Sequence, residues 1–204
     1  MNAPKPLTYS IVLASSSRYR QELLGKLGLP FHVASPAIDE TAHSGESPVQ
    51  LSKRLAQEKA NALAEEFPRH LIIGSDQVAI LEGAQLCKPC DPAQAVAQLL
   101  NSQGKSVEFF TSVCVLNSAT GECVLDIDKT VVHFRQLTEK QIAFYVEKER
   151  PYDCAGGFKS ESLGVALFDR LETSDPNALV GLPLIKLVGL LEKFGVDVLS
   201  SHTG

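Results

Sequence analysis

Apolar and polar positions alternate between two periods along this chain, and each change of period marks an element. Tyr9 to Ala14 is a short β-rich apolar run and predicts a buried strand. Ser15-Ser16-Ser17 stops it, and Leu23, Leu24 and Leu27 then fall at helical spacing before Gly28 and Pro30. Phe31 to Ala34 predicts a second strand. Ser47-Pro48-Val49-Gln50 is a helix start, with Ser as N-cap, Pro at the first helical position and Gln placed to close a capping box. That helix is expected to reach Glu66. Leu71 to Gly74 reads as a buried strand, with a second apolar run, Val78 to Leu81, beyond Ser75-Asp76-Gln77. Asp91-Pro92 opens a helix ending near Gly104. Val107–Leu116 and Cys123–Arg135 predict two long strands joined through 118–121, best read as antiparallel. Thr138 with Gln141 caps a helix to about Glu147, 151–164 reads as loop, Val165–Leu171 as strand, and Pro183 opens a last helix to Phe194. Strands and helices alternate throughout, so the class is α/β with a mixed sheet.

The chain has 204 residues, which suits one domain or two small ones sharing a cleft. With 19 Lys+Arg against 24 Asp+Glu, its net charge of -5 argues against a binder of nucleic acid polymers, which needs surplus positive charge. A small anionic substrate needs only a few local cations and stays open. No apolar run approaches the roughly 18 residues of a membrane span, and 1–10 lacks the apolar core of a signal peptide, so a cytoplasmic protein without membrane attachment is expected. Five scattered cysteines, an odd number, fit reduced thiols.

Five places could carry chemistry. Ser15, Ser17 and Arg20 stand at a strand-to-helix junction, where small hydroxyls, helix N–H groups and a planar guanidinium suit phosphate; a simple N-cap with solvated arginines explains the pattern equally. Lys59 continues the stripe Leu51, Leu55, Lys59, Leu63, so it faces the core side of its helix and must either snorkel or meet an anion. Asp76 sits between two apolar runs, and a carboxylate there needs a partner; read at a strand's carboxyl end, it would point into the crevice of an α/β sheet. With Asp39-Glu40 it could share Mg²⁺ or Mn²⁺, cations that take oxygen ligands. Lys88, inside Cys87-Lys88-Pro89-Cys90, is held in an extended turn. The single C-x-x-C has no second pair, and zinc or thiol chemistry is disfavoured. Gly156-Gly157-Phe158-Lys159-Ser160-Glu161 allows close backbone approach to a ligand, or is a plain surface turn.

Together these segments resemble the Maf family of nucleoside triphosphate pyrophosphatases. The similarity runs from Ile11 to about Phe194: Ser15-x-Ser17-x-x-Arg20, Asp39-Glu40, Lys59, Gly74-Ser75-Asp76 and Lys88-Pro89 occur in the family's order. Within the family, Leu71–Gln77, Cys154–Glu161 and Asp175–Pro183 are most similar to the branch acting on 7-methyl-GTP. The branch acting on dTTP and UTP typically has Thr after the Asp, Gln at position 161 and Arg at position 19. Two departures stand out: Tyr19 where the branch can carry Trp, and Cys87 where Gly is common.

The resemblance implies an elongated, twisted mixed sheet flanked by helices around a central cleft, in the Maf and inosine-triphosphatase manner. It implies a single domain over 1–204 with two lobes, tails at 1–8 and 197–204, and a homodimer in many members. It implies hydrolysis of 7-methyl-GTP to 7-methyl-GMP and pyrophosphate, which removes a modified nucleotide. In that picture Asp76 is the proton acceptor, Glu40 and Asp76 hold the divalent cation, and Arg20, Lys59 and Lys88 neutralise the triphosphate. Ser15 and Ser17 position its oxygens, while Tyr19, Gln77 and Glu161 set base choice. A member of the same family acting on dTTP, UTP or CTP, and a non-catalytic nucleotide-binding regulator of cell division, remain as alternatives.

Overall fold

A computed structural model describes residues 9–200. Seven strands form one sheet in the order β2-β1-β3-β5-β6-β7, with β4 also paired to β3. β1 (Ser10–Ala14) runs parallel to β2 (Phe31–Ala34) and to β3 (His70–Leu81). β3, β4 (Ala84–Leu86), β5 (Ser106–Asn117), β6 (Cys123–Phe134) and β7 (Phe168–Glu172) pair antiparallel. The mixed sheet expected from the sequence is therefore present.

β3 organises the molecule. β5 occupies one of its edges over the whole of 71–81. The other edge is shared: β1 pairs through Gly74, and β4 pairs from Ala79. Residues 75–78 lie between them without a strand partner on that side. The sequence places Asp76 between two strands, but it lies inside one continuous strand, just past the point where parallel pairing with β1 ends. The expected crevice is thus an interruption along a strand edge, not a strand terminus.

Side chains along β3 alternate between faces with period two. Leu71 and Ile73 join a core with Leu23, Leu24, Leu187 and Leu191 from α1 (Arg18–Gly25) and α5 (Leu184–Lys193). Ala79 and Leu81, on the same face, join a second core with Leu99 and Ile142 from α3 (Pro92–Ser102) and α4 (Glu139–Glu149). Ser75 and Gln77 fall in the gap between these cores. On the opposite face, α2 (Pro48–Asn61) covers Ile72, Val78 and Ile80.

The helix starts follow their caps. Ser47 and Gln50 close a capping box, as do Thr138 and Gln141. α2 ends at Asn61 rather than Glu66, passing into turns before Pro68. Residues 163–167 form a 3₁₀ segment, so β7 begins at Phe168, three residues later than the apolar run suggests. The expected tail at 1–8, like 201–204, lies outside the described residues; of the tail expected from 197, Val198 is buried in the first core. Among the described residues no helix is long and apolar enough to cross a membrane.

Candidate functional site

A cavity of about 450 Å³ opens at the unpaired stretch of β3. Ser15, Ser17, Tyr19, Arg20, Glu40, Lys59, Asp76, Gln77, Lys88 and Glu161 all line it, whereas Asp39 does not and accepts from the Thr41 N–H at 2.9 Å. Cys87 and Cys90 are exposed free thiols and are not among its lining residues; of their motif only Lys88 lines the cavity.

Local sequence explains how the side chains arrive. Leu51, Leu55 and Lys59 lie on the buried face of α2 and Leu63 in the turn just after it, each 6% exposed or less. Packing α2 this close requires Gly74, because a Cβ there would stand 2.0 Å from the Ala56 carbonyl oxygen. The same approach brings Lys59 Nζ to 2.7 Å from Asp76 Oδ1, with Glu40 Oε1 at 2.8 Å from the same nitrogen. Lys59 therefore does not snorkel; it joins two carboxylates.

The two carboxylates respond differently to that ammonium. Burial pushes Asp76 above the ordinary carboxylate range; Lys59 and Arg20 pull it down without prevailing, and Glu40 adds to the rise. Glu40 is also raised by burial, but its side chain is 61% exposed, and the hydrogen bond and charge of Lys59, with Lys88 and Arg20, hold it below its usual value. One site thus contains a carboxylate biased toward holding a proton and another biased toward charge.

At the start of α1, Ser17 caps the helix by accepting from the Arg20 N–H at 3.4 Å, and Ser15 Oγ accepts from the Ser17 N–H at 3.1 Å. Ser17 is thus a cap as well as a cavity wall, and Ser15 braces it. Arg20 Nε donates to the Gly181 carbonyl at 2.8 Å. Burial lowers its guanidinium, and Asp76 and Glu40 act against that.

Gln77 lines the cavity while its amide nitrogen is bound within the protein. Its amide nitrogen donates to Thr111 Oγ1 at 2.9 Å and to the Ala178 and Leu179 carbonyls at 3.0 and 3.1 Å. Ser75 Oγ donates to the Gly181 carbonyl at 2.9 Å. These bonds seat segment 177–181 in the gap between the two cores. Asp175, fully buried, accepts from the N–H of Asn177 at 2.9 Å and of Ile185 at 2.6 Å, fixing that segment and the start of α5. In the sequence this stretch stands out only by its likeness to the 7-methyl-GTP branch, yet Asp-Pro-Asn ahead of Pro183 is an Asx-turn and helix-start signal.

Among the described residues no group of three or more His, Cys, Asp or Glu could enclose a metal ion. Glu40 and Asp76 supply two carboxylates converging on one cation position, now filled by Lys59. That donor set fits Mg²⁺, which commonly binds through one or two carboxylates and completes its shell with substrate phosphate and water.

The Maf-like protein family matches residues 10–194. A protein of Colwellia psychrerythraea named 7-methyl-GTP pyrophosphatase is 51% identical over 95% of this chain and 97% of its own length. Proteins of the same name are 53% identical in Pseudomonas aeruginosa, over 92% of this chain and 98% of theirs, and 50% identical in Nitrosococcus oceani, over 98% and 100%.

Proposed function

The chain belongs to the Maf family, and from that premise we propose that it is a nucleoside triphosphate pyrophosphatase that hydrolyses 7-methyl-GTP to 7-methyl-GMP and pyrophosphate. The observation that carries this reading is convergence. Arg20 from α1, Lys59 from α2, Lys88 from the turn after β4, Glu40 from the loop after β2 and Asp76 from β3 share one cavity.

Water attacks the α-phosphorus, the anhydride bond to the β-phosphorus breaks, and pyrophosphate leaves. Asp76 takes the proton of the attacking water; burial moves this carboxyl toward the proton affinity a general base needs. Arg20 is anchored through Nε, so its two terminal nitrogens are available for a planar two-point grip on phosphate. Lys59 and Lys88 supply two further positive charges for the triphosphate and the leaving group. Ser15 and Ser17 hold the start of α1 in place against the phosphates. A divalent cation, Mg²⁺ or Mn²⁺, would be held by Glu40 and Asp76 and would neutralise phosphate charge that the three side chains leave over.

The base end of the cavity contains Tyr19 and Glu161. Glu161 can accept from the guanine N1–H and N2–H₂, a donor pair that pyrimidines lack. Methylation at N7 gives the base a delocalised positive charge, which the face of Tyr19 attracts. The Gln77 amide nitrogen seats segment 177–181, part of the cavity wall, so Gln77 shapes the base end by holding that wall in place.

The deciding experiment is a nucleotide panel of 7-methyl-GTP, GTP, dTTP, UTP and CTP, scored by released pyrophosphate with and without Mg²⁺ or Mn²⁺. Metal-dependent turnover greatest on 7-methyl-GTP is expected. Preference for a pyrimidine triphosphate would replace the substrate; no turnover on any would favour a regulator. In the double variant Glu161→Gln/Tyr19→Arg, use of 7-methyl-GTP should weaken.

A further inference from the structure

Selection of 7-methyl-GTP over GTP, the reading on which this inference rests, has so far only the face of Tyr19 to account for it. GTP and 7-methyl-GTP present the same N1–H and N2–H₂ donors, so Glu161 cannot separate them by that edge. What differs is the positive charge on the far side of the base. The residues around Tyr19 show what answers it.

The Arg18 guanidinium lies over the Tyr19 ring, with Cζ 4.8 Å from the centroid, and its Nη2 donates to the Tyr19 hydroxyl at 3.0 Å. That hydroxyl donates in turn to Asp153 Oδ1 at 3.3 Å, joining the α1 wall of the cavity to the 151–158 loop. The Cys154 thiol donates to the same oxygen at 3.4 Å. Arg18, Tyr19, Asp153 and Cys154 all line the cavity. Burial raises the Asp153 carboxyl, but hydrogen bonds from Cys154, its own backbone N–H and Tyr19, with Lys159 nearby, outweigh it and hold the group below its ordinary range. The free protein thus already holds a planar, delocalised cation on this aromatic face beside a fixed carboxylate. Arg18 is exposed, so it can leave that face at small cost.

We propose that Asp153 is a specificity-determining residue that reads the positive charge of the base, and that Arg18 keeps the base's place on Tyr19 until substrate arrives. Neutral guanine gains nothing from the Asp153 charge, whereas an N7-methylated base does. Displacing Arg18 costs either nucleotide the same, so Arg18 sets affinity and Asp153 sets selectivity.

The test compares kcat and KM for 7-methyl-GTP and GTP in the wild type, Asp153→Asn, Asp153→Glu and Arg18→Gln. Asn keeps an oxygen for the Tyr19 hydroxyl and removes the charge. Asp153→Asn should cut the preference for 7-methyl-GTP over GTP about three- to ten-fold, chiefly through KM, and Asp153→Glu should retain the preference. Equal losses on both substrates would reduce Asp153 to a brace for Tyr19 and overturn the proposal. Arg18→Gln should lower KM for both nucleotides about two- to five-fold, the strength of an exposed cation–π contact, with their ratio unchanged. A raised KM would make Arg18 a substrate contact and overturn its placeholder role. A wild type with no preference for 7-methyl-GTP over GTP would overturn the functional reading itself, and this inference with it. A wild type with the preference and an Asp153→Asn variant that keeps it would overturn the inference alone.

Discussion

Lys59 on α2 and Asp76 in the middle of β3 form a buried ion pair, Nζ to Oδ1 at 2.7 Å, with each residue 6% exposed. A buried pair of this kind is weak as a source of stability, because desolvating both ions offsets their attraction. Its presence is better explained by chemistry than by folding.

Asp76→Asn keeps the shape of the side chain but cannot accept a proton at neutral pH, and it is a poor ligand for a hard cation. Lys59 retains Glu40 at 2.8 Å, so the ammonium is not left alone. The expected outcome is a fall in kcat of at least about 100-fold with a melting temperature close to that of the wild type. Steady-state release of pyrophosphate and thermal unfolding measure both. Near-normal turnover would remove Asp76 from the reaction.

Lys59→Met leaves the Asp76 carboxylate buried without its cation. Breaking a buried pair in this way costs about 3–5 kcal/mol, and urea unfolding should show a loss of that order. The double variant Lys59→Met/Asp76→Leu removes the orphaned charge as well and should recover much of that stability while remaining inactive. If the double variant is less stable than Lys59→Met alone, the pair is a structural requirement and not a functional one.

Gly74 tests the route by which the sequence places Lys59. A methyl group there would meet the Ala56 carbonyl at 2.0 Å, and main chain cannot yield as a flexible side chain can. Gly74→Ala should push α2 off β3, cost about 1–3 kcal/mol and separate Lys59 from Asp76. Lower kcat alongside the lower urea midpoint is expected. A stability loss with kcat intact would show that the pair tolerates the displacement.

The stripe Leu51-Leu55-Lys59-Leu63 was legible because helical period and burial are local properties, and they needed only a correct helix start at Ser47-Pro48. Asp76 stood out as a charge among apolar neighbours. What the chain does not show locally is pairing across distance. Gln77 is bound to carbonyls 101 and 102 residues away, so local pattern contains nothing that identifies it as a brace. β4 is not legible in the sequence because its three residues, Ala84–Leu86, are exposed or half-buried and too few to show a period. The division of β3 at Asp76 came from the same limit. The polar triplet 75–77 interrupts the apolar pattern, but β5 holds the backbone straight through it. Arg18 over Tyr19 joins adjacent residues, yet its meaning depends on Asp153, 134 positions beyond Tyr19.

The loop before α2 offers a pH test that stands apart from the reacting groups. Arg54 on α2 grips Glu46 with two nitrogens, at 2.7 and 2.8 Å, and also donates to Glu58 at 3.0 Å and to the Thr41 carbonyl at 3.0 Å. The hydrogen bond from Arg54, aided by the His43 N–H, holds the Glu46 carboxyl down at about 2, against 4.5 ordinarily. A carboxylate depressed in the folded state contributes stability that is full above its unfolded value. The contribution is lost as pH falls through the folded value. The stabilisation by Glu46 should therefore be complete above about pH 4.5 and decline from there toward pH 2. Arg54→Gln removes the cause, so its urea midpoint should lie below the wild type at pH 6, with the gap closing as the pH is lowered through that window. Because Arg54 also secures the backbone at Thr41, next to Glu40, kcat/KM in this variant should drop about five-fold at neutral pH, as expected for a small displacement of a positioned group. A midpoint difference that stays constant from pH 6 to pH 2.5 would show that Glu46 is not the linked group.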